Sequence, residues 1–363
     1  MVNYQLGSVL GSGGCGSVYR AVEVGSETAV AVKKSRVSLR VQRPTLRHES
    51  RVLQLLQGHP AIPVLYGYGQ LPHFEYLSME LLGANVKELL VSQVRAQTVV
   101  RVVQQMLSAL IHVHKLGIVH CDIKPENILV SLSDPSKVLL IDFGLSRFCR
   151  RGVPRQYNPA KESRCIVGTL NWASLNAHNG IELAPRDDME SLAYVTLFLL
   201  RGDLPWRSGP DSEPIKQSMV RIRASKGECT GAALAVKFPP EFGELLDYGR
   251  QLEFNQIPDY NDLELGFTRL AERLGCQSHD PLDWTSPDAT TPTSAPIFSE
   301  IPDTEDSSGD DDGCVDENFS NSYFYIDLAD WDIQGNRDPD LTFPAEQARM
   351  LDSCVPQISR VDL

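Results

Sequence analysis

An α+β fold in two lobes is what this sequence predicts: a small β-rich lobe with one helix, a larger mainly helical lobe, and then a disordered acidic tail. Three observations carry it. Short alternating segments, interrupted by a single helical pattern at 45–57, fill the first eighty or so residues. A long apolar stripe at helical spacing follows at 98–116, and after Gly275 the composition turns to Pro, Ser, Thr and Asp. With 363 residues, 42% of them apolar, the chain can bury one large core or two lobes sharing a cleft, with residues left over. The expected division is 1–83 for the first lobe and its hinge, 84–275 for the second, and 276–363 for the tail.

Residues 6–18 read as strand, glycine-rich turn, strand, through Leu10-Gly11-Ser12-Gly13-Gly14-Cys15-Gly16-Ser17-Val18. Glycines let backbone N–H groups approach phosphate oxygens without a Cβ in the way. The same spacing also fits dinucleotide folds and ordinary turns. A Walker A loop is excluded because Ser17 stands where that motif needs lysine, and residues 17–22 alternate like a strand where a dinucleotide fold needs a helix. A second strand ends Val30-Ala31-Val32-Lys33, with the lysine seventeen residues beyond Gly16. A lysine in that setting fits a contact to nucleotide phosphates and needs a carboxylate partner. The helical segment 45–57, with Thr45 as its cap, supplies one acidic residue, Glu49. Residues 74–80 form another strand, through Met79 and Glu80, that leads into the short connector Leu81-Leu82-Gly83.

The stripe at Val99, Val102, Met106, Leu110 and Val113, closed by Gly117, is core packing without chemistry. It delivers the chain to His120-Cys121-Asp122-Ile123-Lys124-Pro125-Glu126-Asn127, followed by an apolar strand at 138–141 and by Asp142-Phe143-Gly144. These residues are the inventory for moving a phosphoryl group to a hydroxyl. Asp122 can accept the hydroxyl proton, and Lys124 can neutralise charge on the transferred group. Asn127 and Asp142 offer the hard oxygens that Mg2+ prefers. Lys33 and Glu49 complete the catalytic set.

At this point the sequence resembles the protein kinase superfamily, and later motifs are similar to those of the casein kinase 1 family. Gly168-Thr169-Leu170-Asn171-Trp172-Ala173-Ser174-Leu175-Asn176 stands where most kinases carry A-P-E, followed by Gly180-Ile181-Glu182 and Arg186-Asp187-Asp188-Met189-Glu190. Gly202-Asp203-Leu204-Pro205-Trp206 and Pro258-Asp259-Tyr260 continue the likeness, which spans about residues 4–275. It implies a bilobal kinase fold and an ATP- and Mg2+-dependent serine/threonine kinase, with adenine held by backbone groups at the connector beside Met79, Glu80 and Leu82, Ala31 and Leu129 completing the nucleotide set, and Asp188 capping the catalytic loop from a buried helix. The alternative is a weak or inactive pseudokinase acting as a scaffold through its tail; all of Lys33, Asp122, Asn127 and Asp142 are present against it. Cys121 replaces the arginine of H-R-D, so activity should not depend on an activation-loop phosphate. Asn171 and Ser218 stand where the family has the basic residues of a site for pre-phosphorylated substrates, which leaves that preference open.

Charge is divided unevenly. Residues 1–275 hold 31 basic against 27 acidic side chains, or +4, and residues 276–363 hold 3 against 20, or -17. The acidity therefore says little about what the folded part binds. Between 145 and 167, Arg147, Arg150, Arg151, Arg155, Lys161 and Arg164 face a single acid, Glu162. Such a run is either a solvated face or an attractor of acidic substrates. The expected partners are protein substrates with acidic Ser/Thr sites and, within the chain, the tail itself, which includes an aromatic island at 319–333. No nucleic-acid partner and no membrane anchor are expected. Scattered cysteines without CxxC pairs point to free thiols, and the expectation is a monomer in the cytoplasm and/or nucleus.

Overall fold

The computed structural model describes residues 4–13, 16–36, 45–71, 73–91, 93–156, 166–210, 212–277 and 281–284. The tip residues Gly14 and Cys15, the basic-segment residues Lys161, Glu162 and Arg164, and the acidic and aromatic stretch after Trp284 lie outside the described residues.

Five strands build the first lobe: β1 (Tyr4–Gly13), β2 (Gly16–Glu23), β3 (Ala29–Arg36), β4 (Leu65–Gln70) and β5 (Phe74–Glu80), with helix α1 (Thr45–Leu56) after β3. They form one antiparallel sheet in the order β1-β2-β3-β5-β4. Its register places Ala31 opposite Met79 and Lys33 opposite Leu77. On α1 the apolar side chains Leu46, Val52, Leu53 and Leu56 are each at most 2% exposed. Such burial stabilises by about 1.5–3 kcal/mol per side chain, which is what holds this helix to the sheet. Thr45, expected as a cap, is instead the first helical residue.

The second lobe is assembled on two long helices. α2 (Ala96–Lys115) begins two residues before the expected start, after the extended Arg95. α4 (Pro185–Arg201) is buried on every side from Asp187 to Leu200, as a helix at the centre of a lobe must be. Between them lie the short strands β6 (Ile118–Val119), β7 (Ile128–Val130), β8 (Val138–Leu140) and β9 (Arg147–Phe148), and the short helix α3 (Leu175–His178). β6 pairs with β9 and β7 with β8, which fixes both ends of the loop at 120–127 and the turn at 142–144. The rest is α5 (Ile215–Glu228), α6 (Gly231–Leu234), α7 (Glu241–Gln251) and α8 (Tyr260–Arg273). Lys226 of α5 is fully buried. Its ammonium donates to the carbonyls of Leu170 (3.1 Å) and Ala173 (2.6 Å) and faces the rings of Tyr194 and Trp206.

Order reaches past the boundary drawn at Gly275. Leu282 is buried at 6% exposure, its amide donates to Pro135, and Thr98 on α2 donates to the Asp283 carbonyl at 2.7 Å. The composition shift therefore begins before the packed part ends, because four residues suffice to cap the first turns of α2.

Candidate active site

The loop after β6 is held from below. Asp188 Oδ2 accepts the His120 amide at 2.7 Å and His114 Nε2 at 2.8 Å, and Oδ1 accepts the Cys121 amide at 2.9 Å. His120, fully buried, lies 3.0 Å from the Ile141 carbonyl through Nε2. With Nε2 donating there, Nδ1 accepts the Asp122 amide at 3.2 Å. Cys121 occupies the left-handed region at φ 69, which turns the chain between these anchors. Its thiol is buried and burial pushes its pKa well up, so the position usual for arginine holds an inert group.

Both oxygens of Asp122 are oriented by this arrangement. Oδ1 accepts the amide and the hydroxyl of Thr169, each at 2.8 Å, and Oδ2 accepts Lys124 Nζ at 2.6 Å. Lys124 also donates to the Thr169 hydroxyl at 3.1 Å. Thr169 can come this close because Gly168 precedes it at φ 86. A Cβ at Gly168 would lie 2.5 Å from the Cys121 carbonyl oxygen. In the sequence Thr169 stands only as one position of the motif that begins at Gly168. Its role as a partner of Asp122 depends on a contact across 47 positions, and no local pattern marks it.

Across the cleft, Lys33 Nζ lies 2.8 Å from Glu49 Oε2 and 2.8 Å from Asp142 Oδ1. Lys33 thus joins the first lobe to the second. Burial opposes ionisation of Asp142, but Lys33 and Lys124 outweigh it and hold the carboxyl well below the usual carboxylate range. Asp142 sits in the left-handed region at φ 65, a strained placement that aims its carboxylate at the lysine. Glu49 behaves oppositely: burial raises its pKa to about 7, with Lys33 opposing and Asp142 reinforcing the rise. An acid so raised is protonated below about pH 7, and the ion pair with Lys33 weakens there. Stability moves the other way, greatest below the unfolded value of 4.5 and declining as pH rises through about 7. The expected result is a pH profile of kcat/KM whose acid limb falls below about pH 7. In Glu49→Gln that limb should flatten at a lower plateau; an unchanged limb would assign it to another group.

Asn127 Nδ2 donates to the Asp122 carbonyl at 2.9 Å, which leaves the amide oxygen as the atom available to a cation. Together with the Asp142 carboxylate this is a hard-oxygen pair of the kind a divalent metal bound with phosphates requires. The hairpin β1-β2 pairs Gly11 with Val18, Ser12 with Ser17 and Gly13 with Gly16. Gly16 takes φ 117, and a Cβ there would lie 2.2 Å from the Lys34 carbonyl oxygen, so only glycine lets β2 lie this close to β3. Leu10 is half exposed and Val18 partly buried against the core. At the connector, Met79 and Leu82 are buried, and Glu80 donates its amide to Val64 at 2.8 Å. Gly83 and Val86 donate to Val130 and Ile128 of β7, and this brings Leu129 alongside. Of the predicted residues, the structure thus joins Lys33 with Glu49 and Asp142, and Asp122 with Lys124 and Asn127.

A lysine bridging two carboxylates, an asparagine beside an acid, and a buried aspartate held by a lysine and a threonine are arranged here as phosphoryl transfer requires. A family model of the protein kinase domain matches residues 4–247. The chain belongs to the protein kinases, which use ATP and a divalent metal to phosphorylate proteins.

Proposed function

We propose that the protein is a serine/threonine kinase of the casein kinase 1 type, transferring the ATP γ-phosphate to unprimed Ser and Thr hydroxyls in acidic segments. The observation that carries this is the Asp122, Lys124 and Thr169 cluster, with its contacts of 2.6–3.1 Å. Oδ1 already accepts two hydrogen bonds from Thr169, whereas Oδ2, with Lys124 at 2.6 Å and only a long 3.5 Å contact from Asn127 Nδ2, retains acceptor capacity for an incoming hydroxyl. Asp122 orients that hydroxyl and takes its proton, and Lys124 neutralises charge as the oxygen bonds to phosphorus. Lys33, held by Glu49, contacts the phosphates. Asn127 and Asp142 would hold Mg2+, which when bound neutralises phosphate charge. Lys124 beside the base supports Ser/Thr over Tyr, in keeping with the resemblance in the motifs after Gly168.

Two features support the substrate class. Arg151 and Arg155 are exposed on the segment that follows the Asp142 turn in sequence, and Arg150 lies 3.5 Å from Glu182. Where the family binds a pre-attached phosphate, Ser218 donates to Glu213 at 2.8 Å and Glu213 pairs with Arg221 at 2.9 Å. Arg221 in turn reaches the Trp206 carbonyl, and the Trp206 ring N–H donates to the Asn171 carbonyl at 3.0 Å. A carboxylate already neutralises the arginine of this cluster, which disfavours an added phosphate. The test is a peptide array of Ser, Thr and Tyr acceptors, acidic or neutral, with and without an upstream phosphoserine. Acidic unprimed Ser/Thr peptides should be modified at least as fast as primed ones. Strict dependence on priming, or transfer to Tyr alone, would overturn the proposal.

A further inference from the structure

Helix α1 presents Glu49 to Lys33, and its neighbour His48 meets a different group. His48 Nε2 lies 3.0 Å from the Ser146 carbonyl oxygen and 3.2 Å from the Ser146 hydroxyl. That hydroxyl donates its one hydrogen to the Phe143 carbonyl at 2.7 Å. Both Ser146 oxygens therefore face His48 as acceptors, and the ring nitrogen must be the donor. Burial lowers the His48 pKa to about 4, so near neutral pH the ring is uncharged, with its hydrogen on Nε2. Ser146 and Phe143 are both fully buried, and the Phe143 ring packs edge-on against His120 at 4.8 Å.

The helix is thus fixed twice to one turn. One attachment is Glu49, whose carboxylate pairs with Lys33, and through it with Asp142, and also takes a hydrogen bond from the Phe143 backbone; phosphates of a nucleotide would compete for the lysine. The other is neutral and does not involve the lysine. We propose that His48 is a positioning residue: with Ser146 it forms a latch that holds α1 against the Asp142-Phe143-Gly144 turn and keeps Lys33 and Asp142 in register for metal-bound nucleotide. The latch supplies in hydrogen bonds what a phosphorylated activation loop supplies elsewhere, in keeping with the inert Cys121. This inference rests on the reading of the site as one for phosphoryl transfer.

The experiment compares full-length wild type, His48→Ala, His48→Gln, Ser146→Ala and the Ala/Ala double variant. For each, kcat, KM for MgATP, KM for peptide and the Kd of adenosine are measured. Loss of one buried hydrogen bond predicts a fall of about fivefold to tenfold in kcat/KM for MgATP in His48→Ala. Peptide KM and adenosine Kd should stay within twofold, because neither ligand engages Lys33 or Asp142. His48→Gln retains an N–H donor and should recover most of the loss. Ser146→Ala should show a smaller loss in the same sense, and His48→Ala should cost less in its background. Unchanged kcat/KM in His48→Ala, equal losses for adenosine and peptide, or full additivity would each overturn the latch. If His48→Ala does not fold, Ser146→Ala decides alone, since an unchanged kcat/KM there removes the proposal. A wild type that phosphorylates no peptide would overturn the phosphoryl-transfer reading itself, separately from the latch.

Discussion

Asp122→Asn is expected to lower kcat by about 10²–10⁴-fold, the range for loss of a general base, with nucleotide affinity nearly unchanged. The reason is specific to this cluster. The two oxygens of Asp122 receive the Thr169 amide and hydroxyl on one side and the Lys124 ammonium at 2.6 Å on the other. An amide there can turn its oxygen to only one side. Facing Lys124 with NH2 sets donor against donor and displaces the ammonium; facing Thr169 with NH2 loosens Gly168 and Thr169. Either way a proton acceptor and a charge-neutralising group are impaired together, while Lys33, Glu49 and the connector are untouched. Single-turnover phosphorylation of a Ser peptide, with binding of MgADP measured separately, checks this. Retention of more than a tenth of kcat would remove Asp122 from the role of base.

The second large effect concerns stability as well as rate. Asp188→Ala is expected to destabilise the fold by about 3–5 kcal/mol, the usual cost of removing one partner from a buried charged network. Three donors converge on this carboxylate, the amides of His120 and Cys121 and the ring of His114, and Asp188 is 1% exposed, so water cannot replace it readily. Asp188→Asn keeps one acceptor and should lose less. Urea unfolding gives the stability change. At temperatures where both variants remain folded, kcat should still fall, because the backbone of residues 120–121 sets the position of Asp122. Full kcat in a destabilised but folded Asp188→Ala would show that the loop holds its shape without this support.

How far the sequence foretold the site follows from how local each signal is. The run from His120 to Asn127 and the turn at Asp142 compress most of the chemistry into a few positions, and strand alternation with glycine spacing located Lys33 and the hairpin. Glu49 was legible because it is the lone acid in a helical segment of basic neighbours. Thr169, His48 and Lys226 were not singled out as site residues, and for one physical reason. Each matters through a partner many positions away: Thr169 through Asp122, His48 through Ser146, Lys226 through Leu170 and Ala173. A histidine beside Arg47 or a lysine on a helix as polar as α5 reads as surface until the tertiary structure shows what covers it. The same holds for Leu282, which with Trp284 stands in a polar stretch and is buried where its neighbours Pro281 and Asp283 accept hydrogen bonds from α2.

The buried Lys226 has a further consequence, for the order in which parts of the second lobe come apart. Its amine is enclosed by the carbonyls of Leu170 and Ala173, the Tyr194 ring of α4 and the Trp206 ring beyond α4, and burial drives its pKa well below that of an ordinary lysine, with only Glu190 resisting. A partial separation of α5 from residues 170–173 that stops short of letting water in would leave the Lys226 amine and the Leu170 and Ala173 carbonyls without their partners. The helix and the segment that follows Thr169 therefore open to solvent as one cooperative unit, and their amide hydrogens exchange together, with a shared opening free energy.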